Sequence, residues 1–370
     1  MLFVTKKANS FIMKNFILFL LPILGIIMLT GCPESFHHYK YKDAYFPEKP
    51  QNITEVNSEF DDYNSVLPET HFGKRLLFSS NRTSHAENFD IYDGNFYVVW
   101  DWETGMLTFH NDYHYGYNDF VGKMVNRIET DGNQFAPYFV SFDSMINNHQ
   151  NNLCFLMYST NADSNIYRSE FMYYLTPNDG ASGEVFGPFV IPFLGDEKQQ
   201  YVSFYGNKIY LINSWEINAD AFTTMYFDAT TDEQSDIFKI DIPDSMSFME
   251  FLSTDNNYQQ TPVNVLNSEY NDRCPFVNGS FMVFASDRPG GYGGYDLYYS
   301  KFENGEWSEP VNFGEKVNTE YDEFRPITTC AGQFVNDLMI FSSNRPGGLG
   351  GFDLYFVGIE KIDPTLFAIE

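Results

Sequence analysis

Two sets of charged residues recur at matching places in the sequence, and their types could support either binding or structure. The three arginines each follow a short apolar run that ends in serine and Asp or Asn, and the three glutamates each stand two residues after an asparagine. The residues are Arg82, Arg288, Arg345, Glu59, Glu269 and Glu320. We expect them to lie on one rim of the fold. Pairing between them would brace the structure, whereas free side chains would form a polar binding face.

Four aspartates recur before short strand-like segments of the form Asp-apolar-aromatic. They are Asp90, Asp236, Asp296 and Asp353. A carboxylate at such a position can accept backbone N–H bonds from the adjoining turn, so we predict a structural repeat. The alternative is a calcium ligand, which needs six or more oxygen ligands. Because no EF-hand-type run of alternating aspartates is present, we predict no metal site.

The sequence contains no catalytic motif of a familiar kind. It lacks Gly-x-Ser-x-Gly and HExxH, and His110 and His114 stand in an acidic, aromatic loop. The glycine-rich segment after Arg288 lacks the Lys-Ser/Thr pair of a phosphate-binding loop, so no nucleotide cofactor is expected. Acidic residues are abundant and could supply a pair for glycoside cleavage, but no pair stands out. We therefore predict no cofactor and no enzymatic activity.

These residues belong to a sequence repeat that predicts the fold. Asn267-Ser-Glu-Tyr-Asn-Asp and Asn318-Thr-Glu-Tyr-Asp-Glu open two copies, and each copy continues into Phe-Ala/Ser-Ser-Asp/Asn-Arg-Pro-Gly-Gly and a final Asp-Leu-Tyr. Short apolar runs bounded by Gly, Pro, Asn and Asp read as strands. A repeat of about 50 residues is typical of a propeller blade. We predict an all-β protein, a β-propeller of five blades, with six left open.

The earlier blades are weaker copies of this pattern. Blade one starts at Asn57, and blade two at Ala136. For blade three we expect strands in Tyr201–Phe204, 208–214 and Ser235–Ile240, with Phe248–Leu252 as its outermost strand. The last blade lacks an outer strand, and the segment from Phe46 to Ile53 resembles the outer strand of blade four. We therefore predict that an N-terminal strand closes the ring, which removes exposed sheet edges.

The N-terminus has the pattern of a targeting segment. Lys6, Lys7 and Lys14 precede an apolar run that ends in Leu-Thr-Gly-Cys32. This resembles the lipobox of bacterial lipoproteins, which implies acylation of Cys32. The predicted domains are a signal peptide in 1–31, a lipidated tether in 32–45 and the propeller in 46–370. The expected location is the outer membrane, with the protein lipid-anchored and facing the periplasm or the cell surface.

Charge and cysteine content narrow the set of partners. The net charge is -28, which disfavours nucleic acid and anionic membrane surfaces as partners. Contact with the membrane is expected through the lipid anchor only. Cys154, Cys274 and Cys330 remain after Cys32; we expect buried, unreactive thiols, although a bridge between Cys274 and Cys330 is open.

The repeated Phe-Ser-Ser-Asn-Arg-Pro-Gly-Gly-x-Gly-Gly-Phe-Asp-Leu-Tyr pattern resembles the WD-like propeller repeat of TolB-type proteins, in the version found in Bacteroidota envelope lipoproteins. This resemblance implies a propeller that binds other proteins without catalysis. Our leading hypothesis is therefore a non-catalytic interaction scaffold whose partners are envelope proteins or peptides. The alternative is a carbohydrate-binding or glycoside-cleaving propeller, because aromatic side chains stack on sugars.

Overall fold

The computed structural model describes residues 40–41, 43–67, 69–70, 73–85, 87–112, 120–128, 131–146, 149–161, 166–175, 183–194, 200–206, 222–231 and 233–365. These residues form five antiparallel sheets of four or five strands. Each sheet is one blade, and its first strand lies nearest the central axis, except that the last blade takes its outermost strand from the N-terminus. The prediction of an all-β, five-bladed propeller is confirmed.

The strands follow one another outwards in each blade. Blade one contains β2 (Asp62–Val66), the short β3 (Glu69–Thr70), β4 (Gly73–Ser80), β5 (Asp90–Asp101) and β6 (Met106–Asp112). Blade two contains β7 (Gln134–Ile146), β8 (His149–Thr160), β9 (Arg168–Leu175) and β10 (Glu184–Val190). Blade three contains β11 (Val202–Tyr205), β12 (Thr224–Thr231), β13 (Gln234–Asp241) and β14 (Thr261–Pro262). Blade four contains β15 (Asp272–Asn278), β16 (Phe281–Ser286), β17 (Asp296–Glu303), β18 (Glu306–Trp307) and β19 (Val311–Asn312). Blade five contains β20 (Glu323–Thr329), β21 (Asp337–Ser343), β22 (Asp353–Ile359) and β1 (Gln51–Asn52).

The N-terminal strand closes the ring, as its sequence predicted. Gln51 pairs with Phe356 and Asn52 with Tyr355, so β1 becomes the outermost strand of blade five. Phe46 is fully buried next to this strand and stacks on Phe334, with 4.1 Å between ring centroids. The blade therefore has no free outer edge at this point, and the two ends of the propeller are joined by non-covalent contacts.

Blade three differs from the sequence prediction. The segment expected to be its outer strand is the helix α2 (Phe248–Ser253), which starts at a capping box between Ser247 and Glu250. This box satisfies two backbone N–H groups at the helix start, which stabilises helix over strand. The second strand comes from Thr224–Thr231, and residues 208–214, predicted for that role, lie outside the described residues.

A second helix, α1 (Phe120–Ile128), lies between blades one and two and was not predicted. Val121, Met124 and Ile128 are its buried side chains, at the spacing that places them on one helical face. They pack in a core cluster with Leu77 of blade one and Leu156 of blade two. The helix thus fills the space between these two blades.

An asparagine joins neighbouring blades at each well-conserved repeat. Asn318 accepts a bond from the Leu297 N–H and donates to the Leu297 carbonyl, at 2.9 and 3.0 Å. Asn57 and Asn267 make the same pair of bonds to Leu354 and Ile237. At this residue the asparagine side chain bonds the backbone N–H and C=O that a neighbouring strand would otherwise pair, and so joins each blade to the preceding one.

Four of the five inner strands carry a bulge that turns one residue towards the axis. The pairing register shifts after Tyr63, Phe135, Arg273 and Phe324, and the next residue in each case has a positive φ. These residues are Asn64, Ala136, Cys274 and Arg325, with φ values of 59, 54, 57 and 48°. A bulge bends the strand and redirects its side chains, here into the centre of the ring.

Candidate functional site

The recurring arginines brace their own blades. Arg345 forms an ion pair with Glu323 at 2.9 Å and also donates to the Val317 carbonyl at 2.8 Å. Arg82 pairs in the same way with Asp62, and Arg288 with Asp272. All three acids are the first residue of an inner strand and are fully buried. Each guanidinium therefore joins the second strand of its blade to the first.

The acids that pair with these arginines differ from the ones that the sequence predicted. Glu59, Glu269 and Glu320 are exposed and lie in the crossings between blades. The arginines lie against the aromatic rings of their own blades instead, for example Arg288 over Tyr298 at 4.9 Å. The sequence predicted an Arg–acid pair of the right kind, but it assigned the wrong acid.

The recurring aspartates contact the turns that precede them. Asp353 accepts the N–H groups of Leu349 and Gly350 at 2.5 and 3.0 Å, and Asp296 accepts those of Tyr292 and Gly293. Asp90 accepts the Thr83 hydroxyl, and Asp236 accepts the Gln234 amide. Burial raises the pKa of Asp236, although the Gln234 bond opposes that shift.

A ring of aromatic side chains surrounds one mouth of the central axis. Each blade contributes one side chain from the start of its inner strand, which is either the second residue of that strand or the residue just before it. Four blades contribute a further side chain from the residue just before β5, β9, β17 or β22. The first group is Tyr63, Phe135, Tyr201, Arg273 and Phe324, and the second is Phe89, Tyr167, Tyr295 and Phe352. Eight of these nine residues are aromatic. Sequence reasoning missed this site, although the second residue of each inner strand could have been read from the aligned repeats.

The ring–ring contacts fall into two groups, and most of these side chains are partly open to solvent. Tyr63 contacts Phe89, Phe135 and Phe352, with ring centroids 5.1, 5.7 and 5.8 Å apart. On the other side Phe324 contacts Tyr295 at 5.1 Å and Tyr201 at 6.0 Å. Phe135 and Tyr201 are buried and form the base, whereas the other six aromatic side chains are half-buried. We call these nine residues the aromatic mouth.

One ion pair supplies charge at the aromatic mouth. The Arg273 guanidinium lies over the Tyr201 and Phe324 rings, 5.6 and 5.8 Å from their centroids. Its Nε donates to Asp228 at 3.1 Å. Burial lowers the pKa of Arg273, but the Asp228 carboxylate and the neighbouring Cys274, Tyr201 and Tyr295 groups together leave the pKa raised. Arg273 is therefore a fixed cation with its side chain 18% exposed.

Burial also keeps the phenols of the aromatic mouth protonated. It raises the pKa of Tyr295 to about 12, and it raises the pKa of Tyr63 further above the ordinary value. Two carboxylates add to these shifts: Asp61 acts on Tyr63, and Asp287 acts on Tyr295. The phenols remain hydrogen-bond donors at neutral pH, and carboxylates border the aromatic surface.

Other candidates from the sequence lie apart from this mouth. His110 is exposed and stacks on Tyr97 at 4.9 Å, while His114 and Cys32 lie outside the described residues. Cys154, Cys274 and Cys330 are buried, and no disulfide joins them to one another. Within the described ranges, His, Cys, Asp and Glu side chains form no group of three that could hold a metal. No helix in that part of the chain is long and apolar enough to cross a membrane.

Comparison with known proteins gives matches in fold. No protein-family model matches the chain, and no curated protein matches it. A GH43 beta-xylosidase/alpha-arabinofuranosidase from a compost microbial metagenome is 8% identical with a TM-score of 0.44, covering 84% of this chain and 94% of that one. An alpha-L-arabinofuranosidase from Lactobacillus brevis is 8% identical with a TM-score of 0.41, covering 81% and 90%. An exo-1,5-alpha-L-arabinanase from a bovine ruminal metagenomic library is 9% identical with a TM-score of 0.40, covering 84% and 96%.

These matches correct two predictions. The chain was predicted to be a non-catalytic protein-interaction scaffold and not an enzyme, whereas the matched structures are glycoside-cleaving enzymes. The finding contradicts the scaffold hypothesis. The expectation of envelope proteins or peptides as partners stays a prediction. At this distance the matches concern the fold, so the roles of individual residues rest on the geometry of this chain.

Proposed function

We propose that this chain is a carbohydrate-active propeller that binds a glycan at the aromatic mouth. The observation that carries the proposal is the ring of half-buried aromatic side chains around the axis. Sugar rings present apolar C–H faces between polar edges, so a site for them needs flat aromatic surfaces and a few polar groups. The half-buried aromatic side chains offer such surfaces on both sides of the axis.

The polar groups of the mouth suit sugar hydroxyls. The Tyr63 and Tyr295 phenols are hydrogen-bond donors at neutral pH, and burial, which raises the pKa of both, keeps them so into the alkaline range. The Arg273 guanidinium is held by Asp228 and adds a fixed donor group beside the Phe324 ring. A glycan lying on the ring would exchange water at these groups for direct hydrogen bonds.

Glycoside cleavage is the second candidate function, favoured by the acids around this mouth. Cleavage needs two carboxyl groups, one to protonate the leaving oxygen and one to attack or to activate water. Asp61 and Asp287 border the Tyr63 and Tyr295 phenols and are themselves half-buried. Asp61 accepts a bond from the Phe352 N–H at 2.8 Å, and Asp287 from the Asn271 N–H at 2.7 Å, so both carboxylates are held in place.

A glycan array followed by a reducing-sugar assay tests both functions. Selective binding of an oligosaccharide supports the proposal, and release of reducing ends from it supports cleavage. In that case Asp61→Asn and Asp287→Asn should each lower the rate at least about a hundredfold. Glu269→Gln, in an exposed crossing, is the matched control and should keep the full rate. An array with no selective glycan would contradict the proposed function.

We also infer that the protein is anchored in the outer membrane by acyl chains on Cys32. The support is the sequence alone: the basic start, the apolar run and Leu-Thr-Gly-Cys in order, together with the TolB-type repeat pattern. Radiolabelled palmitate should enter the wild-type chain and not Cys32→Ser. Equal labelling of both chains would contradict the anchor.

A further inference from the structure

Arg325 lies at the centre of the propeller with its side chain fully buried. It comes from β20 in blade five, yet its Nη2 donates to the Pro137 carbonyl of blade two at 3.2 Å. Its guanidinium also lies over the rings of Tyr201 in blade three and Phe276 in blade four, at 5.1 and 5.8 Å. Blades two and three are not neighbours of blade five, so these contacts place the guanidinium on the axis, below the aromatic mouth.

Two nitrogen atoms of this guanidinium have no hydrogen-bond partner among the described residues. They are Nε and Nη1, and both are inaccessible to solvent. Burying an unpaired charged donor is costly, because the water it loses is not replaced. An arginine cannot escape this cost by losing its proton. The protein must therefore supply something else at these atoms.

The nearby charges do not neutralise Arg325. Asp228 is the carboxylate of this region, and it accepts bonds from the Tyr201 N–H at 2.7 Å, the Cys274 N–H at 3.3 Å and the Arg273 Nε at 3.1 Å. Asp228 forms its ion pair with Arg273, and the described residues give Arg325 no ion pair with a carboxylate. The buried Arg75, by contrast, has its own carboxylate, Asp93.

The Cys274 thiol does not provide the missing charge. It is fully buried beside Arg325, and burial raises its pKa, with the Asp228 carboxylate adding to the shift. The thiol therefore stays protonated at neutral pH. It therefore adds no negative charge beside Arg325.

A second buried donor lies in the same region. Asn64 is fully buried, and its Oδ1 accepts the Tyr201 hydroxyl at 3.0 Å. Its Nδ2 has no partner among the described residues. Asn64 and Arg325 thus contact the same tyrosine, one at its hydroxyl and one at its ring face. The unused polar atoms of both residues are donors, which is the chemistry of an anion site.

We propose that the axis of the propeller holds a small inorganic anion of the halide class against an unpartnered N–H group of Arg325, with Nδ2 of Asn64 as a further donor. The anion must be small because Arg325 is closed in by Tyr201, Phe276 and the Pro137 carbonyl. It would neutralise the Arg325 charge and fix the floor of the aromatic mouth. This site does not depend on the proposed glycan function.

Bromide-soaked crystals of the full chain test the proposal directly. We expect an anomalous peak within hydrogen-bonding reach of Nε or Nη1 of Arg325. We also expect the Tm to rise by roughly 2–4 °C, in a saturable way, when chloride replaces gluconate at constant ionic strength. Absence of the peak, or water alone at these atoms, together with equal Tm values in both salts, would overturn the proposal.

Variants separate this site from a general salt effect. Asn64→Asp is nearly isosteric and places a carboxylate near Arg325, so its Tm should no longer depend on chloride. Arg325→Met removes the charge and should have the same result. Arg288→Met is the matched control, since it removes an arginine from an ion pair on the blade and should retain the full chloride shift. Retention of the shift in Asn64→Asp would overturn the site even if Arg325→Met did not fold.

Discussion

The Tyr201 hydroxyl donates a 3.0 Å hydrogen bond to Oδ1 of Asn64, although the two residues belong to blades three and one. In a ring of five blades these two are not adjacent, so the bond crosses the axis. The axis is therefore closed by side chains below the aromatic mouth. A ligand that enters the mouth meets this layer as its floor, which restricts it to the half-buried rim above.

The first prediction concerns ring closure. Phe46→Ala should lower the free energy of unfolding by about 3–5 kcal/mol, because it removes a fully buried ring that stacks on Phe334. Urea unfolding measures the change. Lys49→Ala, in the same segment but exposed, should stay within about 0.5 kcal/mol of wild type. Equal stability of the two variants would show that the N-terminal segment does not hold the ring together.

The second prediction concerns the ion pair within a blade. Asp272→Ala leaves the Arg288 guanidinium without its buried carboxylate and should cost about 3–5 kcal/mol of unfolding free energy. Glu269→Ala, three residues earlier and exposed, should change it by less than about 0.5 kcal/mol. The double variant Asp272→Ala/Arg288→Met should recover part of the loss in the same urea experiment. A loss at Glu269 as large as at Asp272 would refute this assignment of the paired acid.

The third prediction concerns alkaline pH. Burial raises the pKa of Tyr138 to about 12, from an ordinary value of 10.0. Between these values the unfolded chain has lost the phenol proton and the folded chain keeps it, so stability falls as pH rises. The contribution of Tyr138 to this slope is about 1.4 kcal/mol per pH unit.

Tyr138→Phe should remove that contribution, which unfolding measured at several pH values between 10 and 12 would detect. Tyr270→Phe is the control, because Tyr270 is exposed. An unchanged slope in Tyr138→Phe would mean that the phenol titrates alike in the folded and unfolded chains.

Much of the fold could be predicted because blades four and five repeat the same residues at turns and strand ends. The closing strand was found by the same comparison, since Gln51-Asn52 precedes Asn57 as Val311-Asn312 precedes Asn318. Blade three was read wrongly at Phe248–Leu252. The apolar content of that segment fits strand or helix, and the capping box of Ser247 and Glu250, visible in the sequence, decides for helix.

The candidate site could not be predicted from strand patterns alone. Alternation places Tyr63 and Phe324 on inner strands, but the bulge after each residue, with positive φ at Asn64 and Arg325, decides which side chains reach the axis. Neither residue type requires a positive φ, although asparagine has a mild preference for it. The contact of Arg325 with blades two, three and four likewise depends on closure of the ring.

The central claim is that a glycan binds at the aromatic mouth, and isothermal titration calorimetry with the oligosaccharide selected by the array tests it most directly. Phe324→Ala should weaken binding roughly tenfold, because it removes a half-buried ring that contacts Tyr201 and Tyr295. Phe189→Ala, which removes an exposed ring from the outer strand of blade two, should bind like wild type. Unchanged affinity in Phe324→Ala, or an equal loss in Phe189→Ala, would contradict the account.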